Sequence, residues 1–414
     1  MVPSTLGQLI LGYQLVWSRL REPAAVQLFL ATHGQGAVES AHFLRTVEQT
    51  WSEQCPTLLL TPQSAPLLVD LLDHGERDGP QIVVQLDLAR SDGVAAAVQR
   101  AYERGVPLVW RGKPGQRPDA TKERYFVRGM LGLTPGETIV GAQASLRQQA
   151  KPDARAPAAP PRTPSPVPPD QIIEAVPSRR MAGHCLDQQN AWGVAGWPID
   201  DVLLSHQRQP IQPSHKTIVR LIQQTDADAA LELIEHTLAE EPVLAYRFMR
   251  YTNSAALGLR SSVESLRHGL MLLGLSRFTT WLQEMLPLAG DEPDMDPVRT
   301  GMVMRARMME NQLDAGDEDA LRREVFLCGM LSQVDGLLGE SLKEALHRLP
   351  LSERINGAIL GNSGPYAPFL ELATALEYPN MTKVPGLCAA HELDLGEVNR
   401  TMLRVLATLH KSAR

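Results

Sequence analysis

EPVLAYRFMRYTNSAALGLRSSVESLRHGLMLLGLSRFTTWL, residues Glu241 to Leu282, repeats its apolar side chains at the 3.6-residue period of packed helices. Leu244, Phe248 and Tyr251 form one stripe, and Val263, Leu266, Leu270 and Leu273 form a second. Ser261, with Glu264 three residues on, predicts a capping box at the start of that second helix. Gly274 is a natural stop, because glycine adopts the backbone conformations that close a helix. Ser276 predicts a cap for a third helix, with Phe278, Leu282 and Met285 on its apolar face. The stretch reads as part of an all-α core.

The pattern extends both ways. Leu231, Ile234 and Leu238 make a further stripe upstream, and Pro242, Gly258, Gly274, Pro350 and Gly364 punctuate the joints. From about His206 the chain reads as helical to its end, a domain drawn as 208–414 with no tandem repeat.

The preceding half has a different rhythm. Short apolar runs at Leu9 to Trp17, Thr57 to Thr61, Ile82 to Leu88 and Val106 to Trp110 alternate with amphipathic segments such as Val38 to Trp51 and Ser64 to Leu72. Strand and helix in alternation predict a parallel sheet with crossover helices. Eight βα units need about 200–250 residues. Here a proline tract, KPDARAPAAPPRTPSPVPPD at Lys151 to Asp170, breaks the pattern after about five strands, and only a short piece, Gly183 to Leu204, follows it. The expected fold class is α/β plus all-α: a small, interrupted, TIM-like barrel over 1–207, followed by the helical domain. The tract (151–170), whose prolines lack backbone donors and favour extended chain, is read as a disordered, semi-stiff loop or linker.

Composition agrees with two domains, since 414 residues exceed the roughly 250–300 at which one core stops growing. The net charge of -7 is mild and both signs mix along the chain, so no basic run points to nucleic acid or an anionic membrane. No stretch approaches the roughly 18 consecutive apolar residues that span a bilayer. Met1 to Leu15 is apolar but lacks a basic leader and a cleavage site, so it reads as a buried first strand. Cys55, Cys185, Cys328 and Cys388 lie far apart without a CxxC pair, and a cytoplasmic protein with reduced, structural thiols is expected.

Glu241-Pro242, Asn253-Ser254-Ala255, Gly258, the segment Ser262 to Gly269 and Leu273-Gly274 together resemble the HDOD family, whose pattern has these landmarks in this order. Phe326 to Gly339 and the turn Leu349 to Leu351 are similar to the region downstream of an HDOD core when it follows an EAL domain. The first half resembles EAL domains in outline. Gly12-Tyr13-Gln14-Leu15-Val16 matches the motif that names that family, with Gln14 where a metal-binding glutamate stands. Leu58 to Thr61 matches the strand bearing an asparagine, with an apolar residue in its place, and Gln85 falls where another glutamate lies. Gly105 to Lys113 matches the strand that ends in paired aspartates, with Arg111 and Gly112 instead. Ala182 to Asp187 resembles the late glutamate strand without its glutamates, and Ala195-Gly196-Trp197 resembles the closing Gln-Gly-aromatic turn.

EAL phosphodiesterases hydrolyse cyclic di-GMP with two divalent cations, and hard cations want oxygen ligands that activate water between them. The resemblance therefore implies a degenerate EAL domain. An amide at Gln14 has no charge to hold a cation, and Arg111 puts a positive charge where two aspartates should be. No metal, cofactor or catalytic residue is expected. The helical half also lacks the His-Asp pair of related phosphohydrolases: its histidines, His268 among them, are scattered without ligand spacing. Neither a GxSxG elbow nor a GxxxxGK[ST] loop occurs.

The best recognition candidates are Arg247, Arg250, Asn253 and Ser254, a polar cluster at a helix end where guanidinium and amide groups can meet a phosphate or a carboxylate. Asn253 serves equally as a helix terminator, and Trp281 reads as core or domain interface. The family resemblance implies a non-catalytic bacterial signalling regulator that engages a protein partner through its HDOD half, linked to cyclic di-GMP control of motility or surface behaviour. The alternatives are a sensor that binds a cyclic dinucleotide without cutting it, and a residual phosphodiesterase. Several carboxylates lining a pocket would favour the last.

Overall fold

The computed structural model describes residues 5–34, 38–75, 82–87, 92–149, 165–206, 211–257, 262–313, 319–377, 379 and 381–410. The chain divides into two compact units, Met1–Asp201 with Ala375–Arg414, and Val202–Thr374. The boundary drawn from sequence, 1–207 and 208–414, assigns the last forty residues to the helical half; here they belong to the barrel unit.

Eight strands close into a barrel in sequence order: β1 Leu9–Trp17, β2 Pro23–Thr32, β3 Thr57–Pro62, β4 Ile82–Asp87, β5 Leu108–Gly112, β6 Phe126–Gly132, β7 Ile172–Glu174 and β8 Gly193–Ala195. β1 runs antiparallel to both β2 and β8, and every other neighbouring pair is parallel. The expectation of an interrupted barrel with too few strands is thus corrected. β7 and β8, three residues each, complete the closure beyond the proline tract.

The described end of the tract, residues 165–170, is ordered rather than a free linker. Residues 151–164 lie outside the described residues, but Val167 is buried beside Trp110, Leu131 and Ile173. The Ser165 hydroxyl lies 2.9 Å from His184 Nε2, and the Asp170 amide donates to the Asn190 carbonyl. One apolar anchor and these hydrogen bonds offset the entropy of ordering that end.

Helices α1 Ser40–Thr50, α2 Ala65–His74, α3 Ala95–Glu103, α4 Pro135–Gln149, α5 Arg179–Gly183 and α6 Ile199–His206 accompany the strands. Residues Ala182 to Asp187, expected as a strand, instead finish α5 and run into a π-helical turn at His184–Gln188. Gly129 of β6 makes room for Trp110, whose indole lies 2.4 Å from where a Cβ would sit.

The second unit contains α7 His215–Asp226, α8 Leu231–Ala239, α9 Pro242–Thr252, α10 Leu266–Leu273, α11 Leu275–Met285, α12 Asp296–Gln312, α13 Asp319–Leu331, α14 Val334–Leu338, α15 Leu342–His347, α16 Glu353–Gly361 and the start of α17 Ala367–Leu376. Its aromatic centre is Phe248, Phe278 and Trp281, with ring centroids 5.2–5.9 Å apart, and Tyr251 stacks on Trp281. Trp281 is therefore core of its own unit. Gly269 allows the Phe248 ring to approach α10, and Gly329 of α13 abuts the Ala306 backbone of α12.

Two caps differ from expectation. Ser261 lies outside the described residues, and α10 starts at Leu266 under a cap from Ser265, which accepts the His268 amide. α11 begins on Gly274 with no side-chain cap, so Ser276 already lies within the helix. Two further helices, α18 Val384–Ala390 and α19 Leu395–Leu406, end the chain in the barrel unit.

Candidate functional site

One core cluster takes a residue from each strand: Val16, Ala25, Leu59, Val83, Val109, Met130, Ile172 and Ala195. Side chains alternate across a strand, so these eight mark the lumen, and the positions two residues nearer the carboxyl ends of β2–β7 face inward as well. Those positions are Gln27, Thr61, Gln85, Arg111, Gly132 and Glu174; on the reversed β1 the equivalent is Gln14. A ring of mostly polar groups therefore stands above an apolar floor, at the barrel end where enzymes of this architecture carry their chemistry.

The ring is internally bonded. Gln27 Nε2 donates to Thr61 Oγ1 at 3.1 Å and to Gln85 Oε1 at 3.0 Å, and the Thr61 hydroxyl donates to the same Gln85 oxygen at 2.9 Å. All three are buried. Each donor and acceptor used here is neutral, and their mutual bonds satisfy groups that would otherwise be costly to bury. Gln14 packs on the closing turn, its amide nitrogen 2.9 Å from where Gly196 would carry a Cβ; Gly196 also has a φ of +73°.

At the rim, Arg111 Nε lies 2.7 Å from Glu174 Oε1. Glu174 spans β6 because Gly132 leaves a gap there, and a Cβ at 132 would meet its Oε1 at 3.1 Å. The hydrogen bond that Arg111 donates to Glu174 raises the Arg111 pKa against desolvation, with the fields of Glu174 and Asp87 adding to it. Glu174 holds the guanidinium in place while Arg111 keeps 44% of its side-chain surface exposed.

Sequence reasoning found Gln14, Gln85 and Arg111, and the barrel brings all three into this ring. Gly112, next to Arg111 on β5, faces away from the lumen by alternation. Three positions were missed. The lumen group on β3 at this level is Thr61 rather than an apolar residue, β2 contributes Gln27, and the seventh strand retains a carboxylate, Glu174. Among the described residues, no group of three or more His, Cys, Asp or Glu side chains is arranged to hold a metal ion.

In the helical unit the four recognition candidates separate. Asn253 ends α9 with a φ of -94°, so it needs no left-handed backbone. Its side-chain amide donates to the Met249 and Val263 carbonyls at 2.8 and 3.0 Å, and its oxygen accepts the Val263 amide at 2.8 Å. It fixes the connection from α9 toward α10. Ser254 Oγ is buried without a hydrogen-bond partner among the described residues. Arg247, expected in water, is half-buried: its Nη2 donates to the Ile211 carbonyl, and burial lowers its pKa against the opposing field of Glu241. Arg250 alone of the four is exposed, its guanidinium 5.9 Å from the centre of the Tyr246 ring.

Glu241, a family landmark in the sequence, has a structural role that the sequence did not show. It caps α9 through the Leu244 amide, and its Oε1 lies 2.8 Å from Arg299 Nε on α12, both side chains almost fully buried. Burial raises the Glu241 pKa, opposed by the Arg299 charge and by amide hydrogen bonds from Leu244 and Ser214. Arg299 also donates to the Gln212 carbonyl at 3.0 Å. Arg247, Arg299 and Glu241 thereby grip the segment Ile211 to Ser214, which leads into α7.

Residues 211–339 match the HDOD domain family. The chain carries an HDOD domain. Its residues include α7 to α14, and hence both the Glu241–Arg299 pair and Arg250. Among curated proteins, the chain is 26% identical over 192 residues to uncharacterized protein YuxH of Bacillus subtilis (strain 168), covering 45% of each. It is 22% identical over 194 residues to cyclic di-GMP phosphodiesterase CdgJ of Vibrio cholerae serotype O1, covering 47% of this chain and 45% of that one. The chain spans about half the length of the curated relatives it matches. A solved structure, the MmoQ response regulator from Methylococcus capsulatus str. Bath, aligns with a TM-score of 0.40 at 15% identity, over 47% of this chain and 98% of that one. This is an HDOD-containing protein, and one of its relatives is named a cyclic di-GMP phosphodiesterase. Among the described residues, no helix is long and apolar enough to cross a membrane.

Proposed function

We propose that the protein is a non-catalytic signalling regulator in which a degenerate EAL barrel accompanies an HDOD domain that binds a protein partner. The supporting observation is the Gln27–Thr61–Gln85 triad. The inward positions from which a phosphodiesterase would hold its cations carry neutral amides and a hydroxyl, and these spend their hydrogen bonds on one another. At the rim, Arg111 adds a positive charge and is held by the carboxylate of Glu174. Two divalent cations need several oxygen anions converging on them, whereas the two carboxylates at this rim, Glu174 and Asp87, both act on the Arg111 guanidinium.

Cyclic di-GMP-linked control is proposed from the relationship to CdgJ, and partner binding from the solvent-facing Arg250 on the HDOD domain. Purified protein is incubated with cyclic di-GMP and magnesium or manganese, and calorimetry follows binding in parallel. No turnover and no binding are expected. Turnover that is lost in Glu174→Gln would overturn the reading, and binding without turnover would make the protein a nucleotide sensor. A pull-down with residues 202–374 as bait tests the partner: specific capture that Arg250→Ala abolishes is expected, and capture by the barrel unit instead would move recognition there.

A further inference from the structure

In a βα barrel, each strand is normally covered on its outer face by the helix that follows it. β1 has none, because a tight turn carries it straight into the antiparallel β2. Its outward side chains, Leu9, Leu11, Tyr13 and Leu15, are nevertheless all buried. The cover is α19, from the far end of the chain, which packs on the turn Thr5–Gln8, on β1 and on α1. Val398, Asn399, Met402, Leu403, Val405 and Leu406 form its buried face.

The contact has a polar key. Asn399 is fully buried and donates from Nδ2 to two carbonyls, that of Leu6 in the turn before β1 and that of Leu9 at its start, both at 2.8 Å. Its Oδ1 is buried with no hydrogen-bond partner among the described residues. Apolar residues bury with less cost than an imperfectly satisfied amide, and a single buried asparagine is known to fix register at the expense of affinity. Beyond α19, the Cys55 thiol donates to the Ala407 carbonyl at 3.3 Å. Between β1 and α19 in sequence lies the whole helical unit, so both of its ends continue into barrel chain.

We infer that α19 is a latch: it closes the barrel over β1, Asn399 sets its register, and its release loosens the strand that carries Gln14 of the polar ring. The helical unit is accordingly an insertion between barrel segments, and the barrel segment that follows it in sequence supplies the latch. The inference stands on packing within the barrel unit and does not depend on the regulatory reading above.

The test is a specific protease site inserted at residue 379, between α17 and α18, in the full chain. After cleavage, the fragment carrying α18 and α19 is expected to co-elute with the rest. In the cleaved Asn399→Ala protein it should dissociate. Amide exchange in Leu9–Trp17 should then rise about tenfold or more while exchange in Pro242–Thr252 stays within about twofold. Asn399→Asp in the uncut chain, which folds under the same tether, is expected to raise β1 exchange in the same selective way. Dissociation with β1 protection unchanged would overturn the latch. So would retention of the Asn399→Ala fragment, or an equal rise in exchange in β1 and α9.

Discussion

Arg111 on β5 reaches Glu174 on β7 across the intervening strand, Nε to Oε1 at 2.7 Å, through the gap left by Gly132 on β6. The pair needs two charged residues and also the absence of a side chain between them. Gly132→Ala should displace the carboxylate and release the guanidinium. Because Arg111 is nearly half exposed, the stability loss should stay below about 1 kcal/mol. In nitrogen-15 NMR the Arg111 Nε–H should exchange slowly in wild type, and that protection should disappear in the variant. Its persistence would show that Glu174 can bypass a methyl group.

The buried triad should be more sensitive. Thr61→Val removes one donor and one acceptor from Gln27 and Gln85 while keeping the volume, and should cost about 1–3 kcal/mol in urea unfolding of the barrel unit. Thr61→Ser, which keeps the hydroxyl, should recover most of it. Equal losses in both variants would mean that the methyl contact matters and the hydrogen bonds do not.

Arg299→Met should strand the Glu241 carboxylate in the HDOD core and cost about 3–5 kcal/mol at neutral pH. Burial already raises the Glu241 pKa, and removing Arg299 takes away the largest opposing influence. A carboxyl whose folded pKa exceeds its unfolded one stabilises most below the unfolded value and loses that stability as pH climbs through the folded value. The variant's melting deficit against wild type should therefore be larger at pH 8 than at pH 5. A pH-independent deficit would assign the loss to packing alone.

Recognition and structure can be separated at the end of α9. Arg250→Ala should change stability by no more than about 0.5 kcal/mol while weakening partner binding by roughly thirtyfold or more. Asn253→Ala should do the opposite: a lower melt of the HDOD domain, because three hydrogen bonds are lost, with affinity per folded molecule retained. Wild-type affinity in Arg250→Ala would remove this helix end from the interface.

All four cysteines are free and buried. Burial pushes the thiols of Cys185 and Cys328 up to about 12 and that of Cys388 to about 11. Since the thiolate is the reactive form, these three should resist a disulfide reagent at pH 8 and react promptly in guanidinium. Fast labelling of any of them in the native protein would reveal local opening of its unit.

Much of this architecture was legible because it is local. The stripe Leu244, Phe248 and Tyr251 and the run Leu9 to Trp17 state their own period, and α9 and β1 form where those periods say. Gln14, Gln85 and Arg111 were legible as motif positions, and the barrel places all three on its inward face. What escaped had too little length or an ambiguous pattern. β7 and β8 are three residues each, shorter than any periodicity can register, so the barrel looked open. β2 begins Pro-Ala-Ala, and β6 contains Gly129 and Gly132, both of which weaken a strand signal.

By itself, then, the sequence determined which segments carry an apolar face and which polar groups sit among them. Only the tertiary structure decided what each face meets. It put Gln27 and Thr61 beside Gln85, it turned Glu174 toward Arg111, and it sent α19 back to β1 across the helical unit. Periodicity is a property of a dozen neighbouring residues, whereas barrel closure and register are set by pairing between segments distant in sequence, where shape and the need to satisfy every buried amide choose the partner.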